Sequence, residues 1–143
     1  MAALALWMHG QPPLIMDLKT TRGDVDHLVA LFRVRGFWGA ITKTNHAVLR
    51  YREPMFRDLR ELAASYFHEY SLPDGRKTLR SYSAAFDLRA AGTDWVTSGD
   101  DLWELEWAID QSPHTRLLDA RQIARLRPAD AIEIRAGKLI EWR

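Results

Sequence analysis

The chain has 143 residues, 47% of them apolar, six of them tryptophan, with charged residues at 27%. That composition describes one packed domain burying roughly two-thirds of its unfolded surface, and it excludes a disordered chain. Its 20 basic and 19 acidic residues leave a formal charge of +1, and it contains no cysteine; the first excludes a basic field for nucleic acid, the second disulfides and thiol chemistry, and cytoplasm is the expected compartment.

Residues 2–9 have helical composition and stop at Gly10 and the Pro12-Pro13 pair, which cannot continue a helix. That run is too short to span a bilayer, and no later run approaches about 20 apolar residues, so no membrane insertion is expected. Residues 14–18 form a short apolar run of strand length, followed by a polar loop over 19–26. Residues 27–34 and 37–42 flank Arg35-Gly36 and predict an antiparallel hairpin buried on both faces. Glu53-Pro54 opens a predicted helix running to Tyr70, with Pro54 in the first turn and Phe56, Leu59, Ala63, Tyr66, Phe67 and Tyr70 near helical spacing. Pro73-Asp74-Gly75 is a turn, and 77–88 alternates loosely as a strand.

Ser98 to Asp101 supplies N-cap chemistry before a helix that begins at Leu102 and ends at Ser112-Pro113. A short helix is expected over 120–126. Residues 131–135 and 138–142 alternate around Ala136-Gly137, which predicts a terminal hairpin. With no repeat or linker, residues 1–143 form a single α+β domain, its mainly antiparallel sheet packed against helices.

In Asp24-Val25-Asp26-His27 one imidazole follows two carboxylates at a strand start, where a neighbouring carboxylate would raise its pKa. The plain reading is a hydrogen-bonded strand end; the chemical reading is a general base. Loop length selects its partner. A two-residue loop sets His27 opposite Thr44 with Thr42 on the diagonal; a three-residue loop sets it opposite Lys43 with Asn45 on the diagonal. Two-residue loops favour Asn or Gly at the first position, where this chain has Arg35, so the longer loop and Asn45 are expected. An imidazole oriented by an amide is the arrangement of a Cys-His-Asn acyl-transfer site, here without its nucleophile.

His68-Glu69 lacks a second histidine at the metalloprotease spacing, and no glycine loop cradles a phosphate, so no metal or cofactor is expected. Arg50, Arg52, Arg57, Arg60, Arg76, Lys77 and Arg80 offer an anion-binding face or, interleaved with Glu53, Asp58 and Glu61, a salt-bridged helix face; the second is favoured. Trp95, Trp103 and Trp107 are expected in the core, the last two on one helix face at i,i+4.

The order of a helix, then DHLVALF (26–32), then WGAITKTN (38–45), resembles the transglutaminase-like branch of the papain-like cysteine enzymes. There a helix bearing the nucleophilic Cys precedes a strand starting with His and a second strand carrying Asp or Asn. NHAVLRYREP (45–54), ASYFHEY (64–70) and KTLRSYS (77–83) are similar to an uncharacterised prokaryotic branch, over about residues 1–100. The resemblance implies a papain-like fold, His27 as base, and Thr42 at the third position in place of the usual acid; the loop argument prefers Asn45, and both stand as candidates. Matching His9-Gly10-Gln11-Pro12-Pro13 to the family's turn puts the cysteine just before Met1, so an N-terminally truncated domain is expected. The implied function is thiol acyl transfer or peptidase-type chemistry on a peptide or protein, inactive as the chain stands. The alternatives are a pseudoenzyme or peptide-interaction module on the same fold, and an anion or nucleic-acid binder using residues 50–80. Neither substrate nor oligomeric state follows from the sequence.

Overall fold

In the computed structural model, residues 1–141 are described. Leu14-Ile15-Met16-Asp17-Leu18-Lys19 is strand β1 (Leu14–Lys19), with four consecutive residues buried. A run apolar on both faces belongs inside a sheet, and β1 pairs on both sides. To one side lie β2 (His27–Val34), β3 (Phe37–Ile41) and β4 (Tyr51–Phe56); to the other lie β5 (Ser81–Ser83) and β7 (His114–Arg116), while β6 (Phe86–Asp87) also pairs with β1. Every strand pairing is antiparallel.

The alternation of side chains sorts two apolar clusters onto opposite faces of the sheet. Met16, Leu18, Val29, Leu31 and Ala40 face Leu62, Ala63 and Tyr66 around helix α2 (Leu59–Ala64). Ile15 and Ala30 face Ala3 of α1 (Ala2–Met8) and Ile109 of α3 (Trp103–Asp110). Two short helices close the chain, α4 (Ala120–Ile123) and α5 (Ala131–Gly137). No helix among the described residues is long and apolar enough to cross a membrane.

The hairpin forms where the sequence places it, but with the shorter loop. Val34 pairs with Phe37, so Arg35-Gly36 alone turns the chain, at φ 50° and 89°. Arg35 occupies a left-handed conformation that ordinarily favours glycine or asparagine. Contacts around it hold the turn: Arg33 Nη2 donates to the Gly36 carbonyl at 2.8 Å, and the Gln11 amide bonds the Arg33 carbonyl at 3.2 Å and N–H at 3.4 Å. The middle of the hairpin is buried; its tip, at Val34 and Phe37, is exposed.

Four expectations about elements are corrected. The helix expected from Glu53 to Tyr70 is strand β4, then α2, then a 3-10 turn at Phe67–Glu69. Tyr51 to Phe56 alternates exposed and half-buried, and β4 ends the sheet, where the missing N–H of Pro54 is tolerated. Asp58 then starts α2 by accepting from the Glu61 N–H at 2.8 Å. The terminal hairpin is helix α5: Asp130 caps the N–H groups of Ile132 and Glu133, and Glu133 reaches back to the Asp130 N–H. Trp142, placed in that hairpin, lies outside the described residues. The strand expected over 77–88 is the shorter pair β5 and β6, and α3 starts without a side-chain cap.

Candidate functional site: an acidic, tryptophan-walled cleft

The register decides what His27 meets. With a two-residue turn, Thr42 and not Asn45 comes to the imidazole: His27 Nε2 and Thr42 Oγ1 are 2.9 Å apart, and that hydroxyl lies 3.4 Å from the Leu28 carbonyl. Asn45 sits beyond the hairpin, where its carbonyl accepts from the Glu141 N–H at 3.0 Å. The imidazole is half-buried, and its pKa is held below the ordinary 6.5 by burial first and by His46 second. The expected increase from a carboxylate neighbour is corrected, because both carboxylates are engaged elsewhere. Asp26 accepts from the Thr20 N–H at 2.7 Å and hydroxyl at 3.0 Å, and Asp24 accepts from the Thr78 hydroxyl.

His27 opens on a cleft of about 370 Å³ shared with His46, Glu69, Tyr70 and Lys138. Its β2 position, two residues before Val29, puts it on the α2 face of the sheet, whereas α1 packs on the other face. Thr42 also lines a second cleft, which Met1 borders from the α1 side.

Across the sheet lies a group the sequence reading did not single out. Asp17 is only 3% exposed in the middle of β1, with His114 Nε2 3.0 Å from its Oδ2. The other ring nitrogen, Nδ1, is 2.6 Å from the Ser112 carbonyl, which can only accept, so Nδ1 carries a hydrogen. One further proton is then shared between Nε2 and Asp17. Either the ring is neutral and Asp17 donates, or the ring is charged and Asp17 is a carboxylate. Burial is the main cause that raises the Asp17 pKa; the His114 hydrogen bond opposes it, and Asp26 adds to it.

Asp26 and Asp110 join Asp17. One carboxyl oxygen from each lies within 4.8 Å of the others. Asp110, at the last position of α3, accepts from Lys19 Nζ at 2.6 Å, and this holds its pKa below the ordinary carboxyl value. The three carboxyl groups floor a cleft of about 480 Å³, walled by Leu28, Glu106, Trp103 and Trp107. These two indoles, expected in the core, are 68% and 67% exposed. They share one face of α3 as their i,i+4 spacing requires, but that face borders the cleft. Trp95 alone is half-buried, stacked on Trp7 at 6.0 Å between centroids. Oxygen groups so close together can seat a hard cation or an ammonium group, and indole faces attract the same charge.

One signal for this site was present in the sequence: a lone aspartate in an otherwise apolar strand is a buried charge in need of a partner. Nothing local points to His114, which is 97 residues away.

The arginine-rich stretch divides its charge among separate partners. Arg52 reaches Glu69 at 2.9 Å and Ser65 at 3.0 Å, Arg60 donates to the Leu117 carbonyl at 2.8 Å, Arg76 pairs with Asp74 at 2.7 Å, and Arg50 with Glu141 at 3.0 Å. The expected helix face interleaved with Glu53, Asp58 and Glu61 is corrected: Arg50, Arg52 and Arg76 pair instead with Glu141, Glu69 and Asp74, from separate elements. No protein-family model matches the chain, and no curated protein matches it.

Proposed function

We propose that the chain is an interaction module that grips a cationic side chain of a peptide or protein partner in the acidic cleft. One observation carries this reading: three carboxyl groups within 4.8 Å of one another lie beneath two exposed indoles. Carboxylates at that spacing repel, and a guanidinium or ammonium group relieves the repulsion while its apolar stem packs on tryptophan. Lys19 already offsets part of the charge and His114 hydrogen-bonds Asp17, which lets the three groups sit together without closing the cleft.

The test is titration with short capped peptides carrying Lys or Arg, followed by tryptophan fluorescence and calorimetry. Basic peptides are expected to bind, more weakly as salt rises. Trp107→Ala and Asp26→Asn are each expected to weaken binding about tenfold, roughly 1.4 kcal/mol. Equal affinity for a Lys peptide and its Gln counterpart would overturn the reading.

A second reading keeps the transglutaminase-like, papain-like frame, with His27 as the base of a thiol acyl-transfer site. The oriented imidazole favours it: Thr42 holds Nε2 at 2.9 Å and leaves Nδ1 for a reacting group. The chain has no cysteine, so no turnover of a peptide or glutamine substrate is expected; measured turnover abolished by His27→Ala would displace the interaction-module reading.

A further inference from the structure

We infer that the partner is an extended peptide with a basic residue and an aliphatic residue two positions apart, Lys/Arg-x-aliphatic in either direction. This rests on the cation-binding reading above. The acidic cleft is one end of a longer groove: a neighbouring cleft of about 560 Å³ shares Leu28, Trp103, Glu106 and Ile109 with it. Beyond that shared wall the chemistry inverts. The aspartate floor gives way to Ile15, Ala30 and Ile41 on the sheet and Leu105 on α3, with Lys43 and Asp101 as the charged residues added to the lining.

The spacing of the two ends comes from the strand beneath them. Asp17 and Ile15 are alternate residues of β1 and point to the same face, about 7 Å apart. They pair with Leu28 and Ala30 on β2, which repeat the polar-end and apolar-end positions across the ladder. An extended ligand has the same repeat, so residues i and i+2 of a peptide lying along the groove reach the two ends together. The rim also favours a docked partner. Leu28 and Leu102, each 40% exposed, join Trp103 and Trp107 in one continuous apolar margin. An exposed apolar margin around a charged floor is a recognition surface, with the aromatic anchors supplying most of its contact energy.

The experiment is calorimetric titration of the whole chain with capped Gly/Ser peptides that contain Lys-x-Leu, Lys-x-Ser, Ser-x-Leu, or Lys and Leu held far apart. Lys-x-Leu is expected to bind about tenfold tighter than Lys-x-Ser and than the separated pair, the return from burying part of one leucine side chain. Leu102→Ala, at a position exposed enough to leave folding intact, should narrow the gap between Lys-x-Leu and Lys-x-Ser several-fold. Asp26→Asn should weaken both Lys peptides and preserve their ratio. Circular dichroism melts confirm that each variant is folded. Equal affinities for Lys-x-Leu and Lys-x-Ser would overturn the inference and leave the cation site standing. Failure of every Lys peptide to bind, or equal binding by Ser-x-Leu, would overturn the cation site as well.

Discussion

Asp17 is the residue at which stability and the candidate site pull in opposite directions. Burial raises its pKa, so over the pH range just above 3.8 the folded chain keeps a proton there that the unfolded chain has released. For an acid shifted upward, stability falls as pH rises above the ordinary carboxyl value of 3.8 toward the folded value. Asp17→Asn is therefore expected to melt at a higher temperature than the parent at neutral pH, with the gap closing in acid, while losing affinity for Lys peptides; melts across pH with a parallel titration check both. His27 is shifted downward from 6.5. Below 6.5 the unfolded chain takes up a proton that the folded imidazole refuses, so stability falls as pH drops through that value. Denaturation curves on either side of pH 6.5 should show this loss, and His27→Gln should reduce it. Of these residues, His27 and Thr42 were legible in the sequence because both follow from a hairpin. Asn45 was preferred over Thr42 through a loop-length argument that fails at Arg35, whose φ of 50° sits in a turn flanked by hydrogen bonds from Arg33 to Gly36 and from Gln11 to Arg33 that no turn propensity includes. The pairing of Asp17 with His114 was not legible, because the two are neighbours only across the finished sheet.

At the level of elements, patterns confined to one strand or helix could be read, and those set by sheet position could not. Helix α1, strand β1 and the hairpin come from punctuation and alternation within a few residues. Strand β4 was mistaken for a helix because Glu53-Pro54 is also a helix-start signal; only its place at the sheet edge, beside β3, decides. That pairing carries a tight contact at Gly39, where a Cβ would lie 2.5 Å from the Phe32 ring and 2.9 Å from the Arg52 carbonyl. Gly39→Ala is expected to cost roughly 1–3 kcal/mol by overpacking, measurable by urea denaturation. Helix α5 did carry a legible signal, Asp130 three residues before Glu133, which the apparent alternation of 131–135 masked. Glu133 also receives Arg127 at 2.6 Å and lies 3.5 Å from Lys77 Nζ. Its pKa is pulled down to about 2, by Arg127 first and the Asp130 N–H second. Stability from a depressed carboxyl is present above its unfolded value of 4.5 and lost as pH falls toward 2. Glu133→Gln should therefore be less stable at neutral pH and show a shallower acid loss, followed by far-UV circular dichroism.

For the molecule as a whole, the α+β class and the antiparallel sheet followed from the sequence, and the distribution of chemistry over the two faces did not. That distribution separates a half-buried imidazole on the α2 side from an acidic groove on the α1 and α3 side. The chain's near-neutral total conceals this local acidity. Binding of Lys peptides should weaken steadily between low and physiological salt, because Asp26 and Glu106 on the groove are exposed and screened. The α5 closure has a consequence for synthesis. His46 bonds the Gly137 carbonyl and Arg50 bonds Glu141, each across 91 residues, while the Lys77 ammonium, with a side chain only 3% exposed, has Glu133 as its carboxylate neighbour. Strands β1 to β4 emerge from the ribosome well before α5 does. Until α5 arrives, Lys77 lacks this carboxylate neighbour and the His46 contact is unmade, so a sheet built from β1 to β4 gains its ties to this end of the chain only late in synthesis.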